Sequence, residues 1–399
     1  MPPRHPNKPI PEQEAIQDRN QPKKSFFFSA GEISGDAHAA ELIREMGKLG
    51  DFEFAGLGGK NMFAAGLRSA FGDVSTLSTV GFVETIYFLG KKVRLLNRAL
   101  GYIKQNPPDA VVLIDNQGFN ILLGREAKKL GIPVFYYLPP SVSVWAEWNA
   151  PKVAEICDHL ICNIEADTHI YRKFSRNVYF PGNPVIDKIS RFSPDPAFLP
   201  NLGLDPAKTT VSIFPGSRHQ ELKKLLNIML DAAKILIEKH GFQVLLPLSH
   251  EGYRERIERA IERKKLTGKV TLVADDPYSV MNASAVNIMA SGTATLESVL
   301  MRKPPVICYR IFPISFMIGK RLVKKQMIGL PNIFLDKKVF PELLQGACGP
   351  ENIVRHALRF LDSDAAYHDE LNGYYGLVRG MMGAPGVSLR AARYILKHL

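Results

Sequence analysis

Short, uninterrupted apolar runs alternate along this chain with stretches whose apolar residues recur every three to four positions. The runs "KKSFFF" (residues 23–28), "DAVVLID" (109–115), "PVFYYL" (133–138), "HLICNI" (159–164) and "NVYFPG" (177–182) come first. After a gap follow "TVSIFPGSR" (210–218), "FQVLLPL" (242–248), "KVTLVA" (269–274), "AVNIMASG" (285–292) and "PPVICY" (304–309). Runs this short, continuous and rich in β-branched or aromatic residues predict strands buried on both faces, and the helical stretches between them predict crossovers of a parallel sheet. In "RFSPDPAFLPNLGLDPAKT" (191–209) the pattern stops and Pro, Gly and Asp accumulate, as in a linker. The expected architecture is α/β: two doubly wound, Rossmann-like domains facing a cleft, with ligands at the carboxyl ends of the strands. The expected divisions are a disordered tail over 1–24, a first domain over 25–192, a second over 193–362, and a helical segment over 363–399 that packs across both.

Composition fits this picture and narrows it. A length of 399 residues is too great for one ordinary core. No apolar run reaches the length of a membrane span, and "MPPRHPNKPIPEQEAIQDRNQPKK" lacks a signal-peptide core, so a cytoplasmic location is expected. Cys157, Cys162, Cys308 and Cys348 show neither metal-ligand nor disulfide spacing, so no metal site is expected. The net charge is +12, and the first 24 residues supply little of it, with five basic against three acidic side chains. A basic surface suits nucleic acid, anionic lipid or a phosphorylated substrate; without an interleaved aromatic and basic recognition motif, nucleic acid is the weakest of these. Two basic amphipathic stretches, residues 87–104 and 312–330, suit an anionic bilayer surface or ordinary packing on a core.

Four strand-to-helix turns carry candidate chemistry. In "SAGEISGDAHAAELIREM" (29–46), Gly31 and Gly35 fit no phosphate-binding glycine motif, and Glu32 and Asp36 would repel a phosphate. Those carboxylates suit sugar hydroxyls, or Asp36 serves as a helix cap. Asp115, at the carboxyl end of its strand, is placed either to take a proton from a hydroxyl nucleophile or to bind or cap. "FPGSRHQELKKLL" (214–226) offers Gly216, Ser217 and the Arg218 fork to a diphosphate, with Glu221 as cap or counter-charge. "MASGTATLESVL" (289–300) repeats that turn with Ser291, Gly292, Thr293 and Ala294, and Glu297 one turn on can bridge a ribose diol. Together the last two turns describe a pocket for a nucleoside-diphosphate sugar, which points to glycosyl transfer.

Taken in order, "AGEISGD", "GFVETI", "ID" followed by "FN", "PPSVSVWA", "FPGSR", "ASGTATLE", "LPNIF" and "PELLQ" make the chain resemble the lipid-A-disaccharide synthase family from Ser29 to its C-terminus. The resemblance implies an inverting, metal-independent glycosyltransferase of GT-B architecture without a cofactor. It would move 2,3-diacylglucosamine from its UDP donor to the 6-hydroxyl of 2,3-diacylglucosamine 1-phosphate, forming a β-1′,6 linkage and releasing UDP. It implies that Asp115 is the general base and that Arg218 and the 291–293 turn hold the departing diphosphate. Glu297 would hold the ribose, with Asn332 and Gln345 as further nucleotide contacts. Glu32, Ser34, Asp36, Glu84, Asn120 and Ser141 would face the sugars. It also implies a peripheral seat on the anionic cytoplasmic face of the inner membrane, and a homodimer. Three departures from the family's pattern stand in the first domain: Asn116-Gln117-Gly118 after the base, Glu147 in the tryptophan motif, and Asn183 in place of histidine before Pro184. Two alternatives stay open: another UDP-sugar transferase or epimerase of the same architecture, and a non-catalytic relative that binds nucleotide or lipid.

Overall fold

The computed structural model describes residues 23–69, 71–73, 82–143, 147–274, 276–310 and 327–399. The tail up to residue 22 and most of the basic stretch 312–330 therefore lie outside the described residues. Among the described residues, twelve strands form two six-stranded sheets. The first, in the order β2-β1-β3-β4-β5-β6, contains β1 (Ser25–Ala30), β2 (Glu53–Leu57), β3 (Ala110–Ile114), β4 (Val134–Tyr137), β5 (His159–Ile161) and β6 (Val178–Tyr179). The second, in the order β12-β11-β10-β7-β8-β9, contains β7 (Thr210–Phe214), β8 (Gln243–Leu248), β9 (Val270–Ala274), β10 (Val286–Ala290), β11 (Pro305–Tyr309) and β12 (Glu342–Leu344). Every strand pair is parallel.

Successive strand residues supply opposite cores, which explains the unbroken apolar runs. Phe27, Val111, Leu113, Val134 and Tyr136 pack on one face of the first sheet. Phe26, Phe28, Val112, Ile114, Phe135 and Tyr137 pack on the other. The second sheet divides in the same way, Val211, Ile213, Val286 and Ile288 against Phe214 and Met289. Neither β2 nor β12 is legible as a strand in the sequence. Both are short edge strands, and β2 includes Gly56 at φ 143°, where a Cβ would strike the backbone of Phe28.

The chain passes between the halves twice. Val185 and Ile186 already pack in the second core, ahead of the boundary expected at residue 192. Helix Ala365–Met381 contributes Leu371, Tyr375 and Val378 to that same core, whereas helix Val387–Lys397 returns Ala391, Ala392 and Ile395 to the first. The two passages are tied together. Asn183 N–H donates to Met382 O at 2.8 Å, and Arg390 Nε donates to Pro181 O at 3.0 Å. Buried Asp187 accepts from the N–H groups of Gly386, Val387 and Ser388 at 2.7, 3.0 and 3.0 Å, capping the last helix. Asp187→Ala would strip all three donors of their acceptor. It is expected to lower unfolding stability by about 2 kcal/mol or more, read as a lower urea midpoint at unchanged m-value.

Candidate active site

Ligands of doubly wound sheets sit beyond the carboxyl ends of the strands where the winding reverses. Here the reversals fall between β1 and β3 and between β7 and β10. The four turns that leave those strands carry Glu32 to Asp36, Asp115, Gly216 to Arg218 and Ser291 to Thr293. The topology thus brings to the two switch points the turns singled out from the sequence.

In the first half, Asp115 and Asn116 both adopt left-handed backbone, φ 51° and 43°, between β3 and helix Gln117–Lys129. Consecutive non-glycine residues in this region are strained, and the surroundings hold them. Fully buried Asn120 donates its Nδ2 to Asp115 O, Ile114 O and Ser29 O at 2.9, 3.0 and 3.2 Å, and its Oδ1 accepts from Ser29 Oγ at 2.6 Å. Tyr136 Oη, from β4, also donates to Asp115 O at 2.7 Å. Gly31 lets the neighbouring turn approach, because a Cβ there would collide with Asn116 Nδ2. Burial, with help from the Glu32 carboxylate, pushes the Asp115 carboxyl from 3.8 up to about 6; hydrogen bonds from Asn116 N–H and the Ser34 hydroxyl and the Arg218 charge pull the other way.

Arg218 reaches the same place from the second half. Its Nη2 lies 3.5 Å from Glu32 Oε2 and its Nη1 lies 3.4 Å from Glu221 Oε1. Glu221 Oε2 in turn accepts from the N–H groups of Ser217 and Arg218 at 3.0 and 3.2 Å. Glu221 is thus both cap and counter-charge, and its carboxylate occupies donors that would suit an anionic oxygen of a ligand. Gly216, at φ 113°, is required here, since a Cβ would run into Glu221. Tyr309, at the end of β11, feels both the Glu221 and the Arg218 charge, and burial raises its hydroxyl's pKa. Sequence reasoning did not select it, although its place at a strand's carboxyl end was the available signal.

At the β10 end, buried Ser212, Asn287 and Ser298 form a chain of hydrogen bonds, Asn287 Nδ2 to Ser298 Oγ at 2.8 Å, that fixes helix Thr293–Leu300 to the sheet. Gly292 and Thr293 are exposed, Ala294 is half-buried, and Ser291 Oγ donates to Ile328 O at 2.8 Å. Glu297 Oε1 accepts from Tyr278 Oη at 2.8 Å. Burial raises the Glu297 carboxyl, while Tyr278 and the Lys188 charge lower it.

Several sequence-selected residues are used inside the protein instead. Asp36 is buried and caps another helix, Lys60–Ala64: its oxygens accept from Gly59 N, Met62 N, Asn61 N and Asn61 Nδ2 at 2.7 to 3.1 Å. It is a cap and not a sugar-facing group. Asn120 is the staple just described, not a substrate contact. Asn332, fully buried, donates to Phe340 O and Glu342 and accepts from Val339 N and Phe340 N, so it holds the approach to β12. Ser141 Oγ donates to buried Asp167 at 3.3 Å, and Asp167 also accepts from Ser143 N at 2.7 Å, so Asp167 anchors that loop. Gln345 follows β12 in left-handed backbone, φ 49°, at the ligand end of the sheet. The side chain of Glu84 lies outside the described residues, as do Trp145 and Ala146. The third departure is Asn183. It is buried in the passage between the halves, where its Nδ2 donates to Asn163 O at 3.1 Å and its Oδ1 accepts from Val185 N at 3.1 Å.

A family model described as lipid-A-disaccharide synthetase matches residues 26–373. A lipid-A-disaccharide synthase of Geobacter metallireducens is 34% identical over 380 residues, which covers 95% of this chain and 98% of that protein. The corresponding protein of Syntrophotalea carbinolica is 36% identical over 384 residues, 95% of this chain and 96% of its own. Among solved structures, S. aureus MnaA with UDP superposes with a TM-score of 0.65 at 14% identity, covering 94% of this chain and 96% of that one. UDP-GlcNAc 2-epimerase from Neisseria meningitidis bound to UDP-GlcNAc gives 0.61 at 14% identity, covering 94% and 100%. At such identity these two share the fold, and the epimerase alternative gains nothing further from them.

Proposed function

Because this chain belongs to the lipid-A-disaccharide synthase family, we propose that it is a hexosyltransferase joining 2,3-diacylglucosamine, taken from its UDP donor, to the 6-hydroxyl of 2,3-diacylglucosamine 1-phosphate. The observation that carries the reading is that the turns at the two switch points bring Asp115 and Arg218 close enough for the Arg218 charge to act on the Asp115 carboxyl, with Glu32 beside them, 3.5 Å from Arg218. In the reaction Asp115 takes the proton of the acceptor's 6-hydroxyl. The oxygen forms its bond to the anomeric carbon as the bond from that carbon to the UDP phosphate oxygen breaks, and the electron pair leaves with UDP. A single displacement of this kind inverts the anomeric centre. A base held at about 6 is mostly ionised at neutral pH yet strong enough to accept the proton. Arg218 and the amides of Ser217 and Arg218, once Glu221 yields them, stabilise the charge on the departing diphosphate, so this reading requires no metal. Glu297 takes a ribose hydroxyl beside Tyr278.

Both substrates carry acyl chains, so the protein works at a membrane surface; among the described residues no helix is long and apolar enough to cross a membrane. The test is UDP release from UDP-2,3-diacylglucosamine with and without the 1-phosphate acceptor. Release that requires acceptor and is matched by disaccharide is expected. Equal release from donor alone, with free sugar as product, would replace the synthase with an epimerase-like activity.

A further inference from the structure

The first basic amphipathic stretch, residues 87–104, belongs to helix Phe82–Gln105 and packs on the first core: Ala99 and Ile103 are buried there, and Leu95, Leu96 and Leu100 pack against it. The second falls largely on residues 311–326, outside the described residues. One cation interrupts the apolar face of the helix. Lys92 stands one turn before Leu95 and Leu96 and two turns before Ala99, where the spacing calls for an apolar side chain, and it is half-buried. Arg94 and Arg98 are exposed and engaged elsewhere. Arg94 Nε donates to Gly90 O at 3.3 Å, and the Arg98 guanidinium lies 5.6 Å from the centre of the Phe71 ring.

The fold carries Lys92 toward the site. Helix Phe82–Gln105 leads into β3, so it runs antiparallel to the strands and its earlier turns stand beside their carboxyl ends. There Lys92 lines a small recess with Gly31 and Asn116, from the turns after β1 and β3, and with Leu57, Leu95 and Phe119. Among the described residues that line it, Lys92 alone is charged, and among the described residues it makes no ion pair. The two carboxylates of the adjoining turns are engaged otherwise. Glu32 lies 3.5 Å from Arg218, and the charges that act on the Asp115 carboxyl are those of Glu32 and Arg218. Asn116, Gln117 and Gly118 add no carboxylate. An ammonium group left unpaired against apolar walls is costly, and an anionic group of a ligand would offset that cost.

We propose that Lys92 binds the phosphate of the acceptor sugar and so selects a sugar 1-phosphate over a neutral sugar. The assignment rests on the transferase reading above, which sets the acceptor's 6-hydroxyl at Asp115. The 1-phosphate then lies across the hexose ring, and the recess beside Asn116 receives it. An ammonium on a flexible stem meets such a phosphate as a point charge. Transfer from UDP-2,3-diacylglucosamine in detergent would be compared for 2,3-diacylglucosamine with and without its 1-phosphate, beside direct binding of the two sugars. Native protein is expected to favour the phosphorylated sugar in both assays. Lys92→Leu should cut that preference about tenfold or more, whereas Lys92→Arg should keep most of it. UDP affinity should stay close to native in both variants. The leucine completes the apolar face, so its urea midpoint should equal or exceed the native one, which separates lost recognition from lost folding. If native protein binds the phosphorylated sugar through Lys92 but transfers nothing, the transferase reading fails and the phosphate site stands. Native protein without the preference, or Lys92→Leu with it intact, would overturn the proposal. So would equally tight binding of phosphatidic acid that Lys92→Leu abolishes, since the recess would then hold a lipid headgroup.

Discussion

Asp115→Asn is expected to lower kcat by roughly three orders of magnitude while UDP affinity stays within about twofold of native. Asparagine is the informative replacement because it tolerates the left-handed backbone that Asp115 adopts at φ 51° and keeps the size of the side chain. The loss then reports the missing base and not a collapsed turn. Native activity should rise with pH through about 6 and level above it, as Asp115 ionises, and the residual activity of the variant should lack that limb. The same shift has a stability consequence of definite sign. Asp115 is raised from 3.8 to about 6 on folding, so ionising it works against the fold. Its neutral form favours folding fully below about 4, and that advantage is lost as pH rises to about 6. Asp115→Asn should therefore be more stable than native above pH 6 and no better below pH 4, by thermal melts across that window. A variant that is inactive but melts below native at pH 8 would mean that Asp115 supports the structure and is no strained base.

The sequence made the central strands and the four site turns legible because each depends on local pattern: an unbroken apolar run, then a glycine or small residues, then a helix start. The edge strands were not legible, since β12 spans three residues and β2 carries Gly56 for reasons that lie in its neighbour Phe28. Side-chain direction was the other blind spot. Glu32 and Asp36 look equivalent in "AGEISGD", yet Glu32 meets Arg218 from the other half, whereas Asp36 turns inward to cap a helix that begins at Lys60. Asn120 and Asn332 likewise read as ligand contacts, and both spend every polar atom on backbone or side chains within the protein. Glu221 shows the reverse case: a residue three positions from Arg218 has a role that helix-start chemistry alone suggests, and the structure bears it out.

Arg218→Ala is expected to reduce kcat by about 10²- to 10³-fold, the usual loss when a donor to transition-state charge is removed. The geometry explains why the arginine is ready for this task. Its contacts to Glu32 and Glu221, at 3.5 and 3.4 Å, are long, and its side chain is 51% exposed, so neither pair holds it firmly against a competing diphosphate. Arg218→Lys keeps the charge without the two-pronged donor set and should recover only part of the loss. A second readout separates a leaving-group role from simple donor affinity. Because the Arg218 charge helps to lower the Asp115 carboxyl, its removal leaves burial and Glu32 less opposed, and the acid limb of the pH profile should move above 6. Arg218→Lys should leave that limb nearly in place. Joint replacement of Asp115 and Arg218 should cost far less than the product of the single losses, as for groups acting in one transition state. If Arg218→Ala instead raises KM for the donor at native kcat, with the limb unmoved, the arginine binds UDP equally in ground and transition states, and the positive charge for departure must come from the turn amides.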